Sequence, residues 1–137
     1  MKRSAALTPL SREHHHALSL AIQAGKAART SDPAQWQQAA AKISQQAEQT
    51  LQAHFAEEER TLLPALTQAG QALLAQRTLD EHVHLRQLLQ HAELASPAIL
   101  QAFADAMTAH VRFEERELFA VAESLPAVMA ALQAHTT

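Results

Sequence analysis

The chain has 137 residues, no cysteine or tyrosine, two glycines, 4% aromatic residues and a formal net charge of −3. That length suits one domain, residues 1–137, with a sizeable core. The missing thiols exclude disulfides, zinc-thiolate sites, iron–sulfur ligation and thiol catalysis, and the scattered Lys and Arg argue against a nucleic-acid partner, which requires concentrated positive charge.

Few glycines and abundant Ala, Gln and Leu favour long helices over a sheet. Thr8-Pro9 or Ser11 opens helix A, which runs to about Arg29. Ser31-Asp32-Pro33 is a stop-and-restart signal, and helix B follows from about Pro33 to Leu63. Pro64, with no N–H to donate, should kink or end that helix. Gly70 breaks the chain before helix C, roughly Gln71 to Ala95, and Ser96-Pro97 opens helix D, ending near Ser124. Pro126 starts a short C-terminal helix. Short connections between four long helices predict an all-α, up-down-up-down antiparallel four-helix bundle. No apolar run approaches membrane-spanning length, and only Lys2-Arg3 with no apolar stretch precedes Pro9. A soluble, cytoplasmic protein without membrane contact or signal peptide is the expectation.

Helix B carries His54-Phe55-Ala56-Glu57-Glu58-Glu59, and helix D repeats the pattern as His110-Val111-Arg112-Phe113-Glu114-Glu115. Each is preceded by a Glu-His pair, Glu13-His14 on helix A and Glu81-His82 on helix C. At about 100° per residue, Leu7, Leu10, Leu18 and Ile22 define an apolar direction on helix A. His14 lies about 25° from it and His15 about 75°. On helix C, Leu79, Val83, Leu85, Leu88 and Leu89 set a direction on which His82 falls. His54 and Glu58 lie among Ile43, Ala47, Leu51, Phe55 and Leu62; His110, Glu114 and Glu117 among Phe103, Met107, Phe113 and Val121. Glu57, Glu59 and Glu115 fall to the flanks, and His15, His16, His84, His91 and His135 read as surface or supporting residues.

Six polar groups thus point inward: His14, His54, Glu58, His82, His110 and Glu114. Each would cost roughly a few kcal/mol if buried unpaired, and a shared set of cations satisfies them together. Imidazole and carboxylate without thiolate suit iron, manganese or zinc. Glu13-x-x-His16 and Glu81-x-x-His84 also match the Glu-x-x-His element of ferritin-like di-iron bundles, but all four residues point away from their apolar faces. Glu117 reads as a ligand, a partner of one, or a group near the bundle end.

Taken in order, the residues resemble the hemerythrin-like (HHE cation-binding) family. The likeness rests on Leu10-Ser11-Arg12-Glu13-His14, His54 and Glu58 with the flanking Glu59-Arg60-Thr61-Leu62-Leu63-Pro64, Glu81-His82 with Leu85-Arg86, and His110 and Glu114 with Leu118-Phe119. It covers nearly the whole chain and implies a hemerythrin-like bundle holding two iron ions with an oxo or hydroxo bridge. Glu58 and Glu114 would bridge and each His would ligate one iron, with His15 the alternative to His14. The oxygen carriers of the family add a fifth histidine four residues after the first on helix C, where this chain has Arg86. The remaining set resembles the four-His, two-Glu centres of bacterial iron–sulfur-repair proteins, whose additional cysteine-bearing domain has no counterpart in these 137 residues.

The expected function is a non-haem di-iron protein that binds or senses O2, NO or peroxide, or handles iron. The alternative is a redox-inert storage or structural module holding zinc or another divalent cation; a third is a metal-free helical interaction domain. An Ala/Leu-rich face allows either a monomer or a homodimer.

Overall fold

A computed structural model of the chain describes residues 3–136; Met1, Lys2 and Thr137 of the expected domain lie outside them. Five helices follow in order: α1 (Thr8–Ala28), α2 (residues 33–68), α3 (Ala72–Leu89), α4 (Pro97–Glu123) and α5 (Pro126–Thr136). The first four form the all-α antiparallel bundle the sequence predicts. Neighbours pack as α1 on α2, α2 on α3, α3 on α4, and α4 back on α1, while α5 covers the end of the bundle against α2 and α4.

The punctuation follows local chemistry. The Asp32 side chain accepts a hydrogen bond from the Ala34 N–H, and Ser96 from the Ile99 N–H, each with proline in the first turn that follows. Gly70 takes a φ of 88°, and the Gln71 N–H reaches the Leu66 carbonyl at 2.8 Å, closing α2 with a left-handed glycine.

Two helix ends differ from expectation. α2 continues through Pro64 to Gln68. A wide, π-helical turn at Glu58–Leu62 immediately precedes the proline, with the Leu63 N–H reaching back to the Glu58 carbonyl. That turn loosens the backbone where a proline ring would clash with an ordinary α-turn. α3 stops at Leu89 instead of reaching Ala95. Continued as a helix, Leu94 would lie roughly opposite Leu85; the turn lets both be buried.

The core also corrects the reading of two helix faces. On α1 Ile22 is 58% exposed, and the buried stripe is Leu10, His14, Ala17, Leu20, Ala21, Ala24 and Ala27. On α3 Leu79 and Val83 are 36% and 45% exposed, while Ala75, Thr78, His82, Leu85, Leu88 and Leu89 face inward. On α1 the large apolar residues mislead because small side chains form the buried stripe and let the helix approach its neighbour closely.

Two apolar clusters fill the bundle. One joins Ala17–Ala27 stripe residues of α1 with Ile43, Leu51, Phe55, Leu85, Leu100, Phe103 and Met107. The other joins Leu7, Leu10, Leu62, Leu66, Phe113, Leu118 and Phe119 with Val128 and Leu132 of α5. A buried polar layer lies between them. Among the described residues, no single helix is long and apolar enough to cross a membrane.

Gly25 faces α4, where an added Cβ would meet Ala104 Cβ at 3.7 Å and the Arg29 guanidinium at 3.3 Å. The guanidinium is the mobile end of a long side chain, so Gly25→Ala should stabilise the fold by about 0.5–1 kcal/mol through helix propensity. Urea unfolding of the two proteins checks this; a loss of stability would show that α1 and α4 cannot yield.

Candidate metal centre

Each of the four bundle helices places one imidazole in the polar layer, and α2 and α4 each add a carboxylate one turn later. His14, His54, His82, His110, Glu58 and Glu114 are all buried, the two carboxylates at 0% exposure. Their donor atoms form two groups, His14, His54, Glu58 and Glu114 on one side and Glu58, His82, His110 and Glu114 on the other, with atoms within 4.8 Å of one another in each. Both glutamates belong to both groups. His14 and His54 stand with ring centroids 5.1 Å apart, and His82 and His110 5.0 Å apart.

Wide turns begin at both carboxylates. The π-helical segments Glu58–Leu62 and Glu114–Leu118 occupy equivalent places in α2 and α4. One extra residue in the turn keeps Glu58 and Glu114 inward and also turns Leu63 and Phe119 toward the core. The Phe119 ring consequently stacks on His14 at 5.4 Å, and on the other side Phe55 stacks on His82 at 4.3 Å.

The outer face of each imidazole is held by a carboxylate from the neighbouring helix. His54 Nδ1 pairs with Glu13 at 2.7 Å, His82 Nδ1 with Glu59 at 2.7 Å, His110 Nδ1 with Glu81 at 2.7 Å, and His14 Nδ1 with Glu115 at 2.5 Å. The links run from α1 to α2 to α3 to α4 and back to α1. Such pairing fixes the ring and leaves Nε2 directed at the centre. Three of these carboxylates are braced in turn. Arg86 grips Glu59 with Nη1 at 2.7 Å and Nη2 at 3.2 Å; Arg77 Nε donates to Glu81 at 3.1 Å; Ser11 Oγ donates to Glu115 at 2.9 Å.

These four carboxylates are the functional residues that sequence reasoning missed. By helical phase alone Glu59 and Glu115 fall to the flanks, and Glu13 and Glu81 sit in the outward Glu-x-x-His pattern. Their signal was adjacency: each directly neighbours an inward residue on its own helix, and a position 100° around a bundle helix faces the next helix. Glu117 is exposed and lies 3.4 Å from Arg77, and Glu57 pairs with Arg60. His15 is exposed and, among the described residues, belongs to neither donor group. His84, His91 and His135 are exposed, and His16 is half-buried.

The chemistry of the layer is that of donors lacking an acceptor of their electron pairs. Nε2 of His54, His82 and His110, both oxygens of Glu58 and Oε2 of Glu114 are buried without a well-aligned hydrogen bond, although they face one another closely, His82 Nε2 at 3.0 Å from Glu58 and His110 Nε2 at 3.2 Å from Glu114. Each such atom costs about 1–3 kcal/mol, and a cation set would satisfy all of them. Without metal, protons do part of that work. Burial by itself would lower the histidine pKa values, but the buried Glu114 and Glu58 outweigh it, raising His54 to about 11 and His82 to about 9. For His110 burial is likewise overcome, chiefly by Glu114, and the value rises to about 10. Burial would raise Glu114, yet the surrounding imidazoles hold it well below the ordinary carboxylate value.

The description of the Hemerythrin HHE cation binding domain fits residues 6–122, which include all six buried donors. No curated protein and no solved structure matches the chain.

The raised histidines give the metal-free fold a defined pH dependence. Their folded values lie above the ordinary 6.5, so their stabilising contribution is complete below that value and is lost as pH rises through 9 to 11. Urea midpoints of chelator-treated protein should therefore fall between pH 7 and pH 10. A midpoint rising over that window would contradict the assignment of imidazolium–carboxylate pairs.

Proposed function

Because the chain belongs to the hemerythrin HHE cation binding domain family, we propose that its four histidines and two glutamates hold two iron ions and that this centre binds or senses O2, NO or peroxide, or handles iron. The observation that carries the reading is the sharing of Glu58 and Glu114 between both donor groups. A carboxylate has two oxygens, so each of these residues can serve two cations at once. His14 and His54 would complete one half, His82 and His110 the other.

When bound, a pair of iron ions supplies redox chemistry and coordination positions open to a small ligand. The chain's own residues supply the rest. The Nδ1–H of each histidine, donated to Glu115, Glu13, Glu59 or Glu81, keeps the Nε2 electron pair aimed inward. The apolar clusters on either side exclude water and strengthen every charge interaction between them. Phe119 and Phe55 restrict the rings of His14 and His82 by stacking.

Arg86 bears on the type of chemistry. It stands where the oxygen carriers have a fifth histidine, and its guanidinium lies 5.3 Å from the Phe55 ring while holding Glu59. It braces the partner of His82 and donates nothing to a metal. Six protein side chains, two of them shared between the donor groups, would leave coordination positions open to outside ligands on two such ions. This favours reactivity or sensing over reversible carriage of O2.

Metal analysis of protein purified from its own host, read with absorption spectra before and after O2 and NO, tests the proposal. Two irons per chain with oxo-bridge bands and ligand-dependent changes are expected. Bound zinc and unchanged spectra would favour the redox-inert storage or structural reading, and a melting temperature indifferent to chelation would leave only a helical interaction domain.

The ring of carboxylates makes a separate prediction. Glu81→Gln retains the shape but weakens the hold on His110 Nδ1, and should lower metal affinity about 10- to 100-fold. Competition with a chromophoric chelator measures this; unchanged affinity would show that packing alone orients His110.

A further inference from the structure

The repeated Glu-x-x-His element has no place among the six donors, yet it lines two openings in the bundle wall. Between α1 and α2 a cavity of about 90 Å³ is bounded by Glu13, His16, Thr50, Leu51 and His54. Between α3 and α4 an opening of about 440 Å³ is bounded by Glu81, His84 and His110, with Arg77 and Asp80 at its edge. The two are equivalent in construction. Each has a Glu and a His three residues apart on one helix. Each ends on the ring of a central histidine of the next helix, and the Glu of the pair holds that ring by Nδ1. In the narrower cavity His16 Nε2 is buried without a partner, and beside it Thr50 and Leu51 belong to a third wide turn, Ala47–Leu51.

We infer that these openings are loading ports for divalent cations, one for each half of the centre, with His16 and His84 as the first imidazoles a cation meets. The inference rests on the six donors being a metal centre. Those donors are buried, and a hydrated cation cannot cross the apolar clusters above and below them without losing its water to nothing. It can move where protein ligands replace its waters one at a time. Glu13 with His16, and Glu81 with His84, offer one carboxylate and one imidazole each, a donor set of the same kind as the centre itself. Glu13 is the least confined of the four carboxylates, with 51% of its side chain exposed, so it can leave His54 to meet an incoming cation. The openings differ in volume, about 440 Å³ against about 90 Å³, so the halves should fill at different rates: His82 and His110 first, through the larger opening, and His14 and His54 second.

Stopped-flow loading of chelator-treated protein with cobalt(II), followed by the absorption of coordinated cobalt, tests this. The native chain should fill in two phases. His84→Ala should slow the faster phase about tenfold, equivalent to about 1.4 kcal/mol on the barrier, and His16→Ala should slow the slower phase to a similar degree. Both variants should reach the native cobalt content and keep the native melting temperature. Native rates in both phases for both variants would overturn the ports, as would reduced final occupancy, which would make these histidines ligands of the finished centre. A native chain that takes up no cobalt would instead refute the metal-centre reading beneath the inference.

Discussion

Two carboxylates without any solvent exposure, Glu58 and Glu114, set the terms for the rest of the bundle. An isolated buried carboxylate is among the most costly things a protein can contain, and here two share one small space. The fold answers with four imidazoles, one from every bundle helix, so that no helix can leave without stranding charge. Whether protons or cations supply the positive charge, it must sit in the same place. The polar layer is therefore both the least tolerant part of the core and the part that ties all four helices to one another.

That layer depends on the apolar material around it. The close approach of α1 to α4 through Ala17, Ala21, Ala24 and Gly25 brings His14 within 2.8 Å of Glu114. The wide turns after Glu58 and Glu114 insert a residue where a regular helix would have rotated Phe119 away from His14. Both devices give up a little helix regularity at the centre, and the two flanking clusters hold the geometry in spite of it. Two of the three π-turns among the described residues begin at the buried carboxylates Glu58 and Glu114, which fits the general association of such turns with function.

Much of this was legible in the sequence. Proline and capping residues marked the helices, and the recurrence of His-x-x-x-Glu on two of them, with one histidine on each of the others, identified the six buried donors. Three things were not legible. Ile22, Leu79 and Val83 lie outside the buried faces they helped to define, and on α1 the close packing falls to alanines, which are weak in any hydrophobicity pattern. A constant 100° per residue cannot register a wide turn, so nothing in the pattern chose between a kink and an end at Pro64, or placed the end of α2 at Gln68. And charged residues at a helix flank look the same in sequence whether they face water or the next helix, which concealed Glu13, Glu59, Glu81 and Glu115.

The placement of those four glutamates has a consequence for topology. On α1 and α3 the glutamate directly precedes the inward histidine; on α2 and α4 it directly follows the inward glutamate. Neighbouring helices run in opposite directions, so one step back on one and one step forward on the next turn to the same side when viewed down the bundle. An apolar core is nearly indifferent to whether four antiparallel helices are wound clockwise or anticlockwise. These hydrogen bonds are not, because in the mirror winding every glutamate would face the wrong neighbour and every imidazole would lose its support. The residues that steady the buried imidazoles thus also choose the handedness of the bundle.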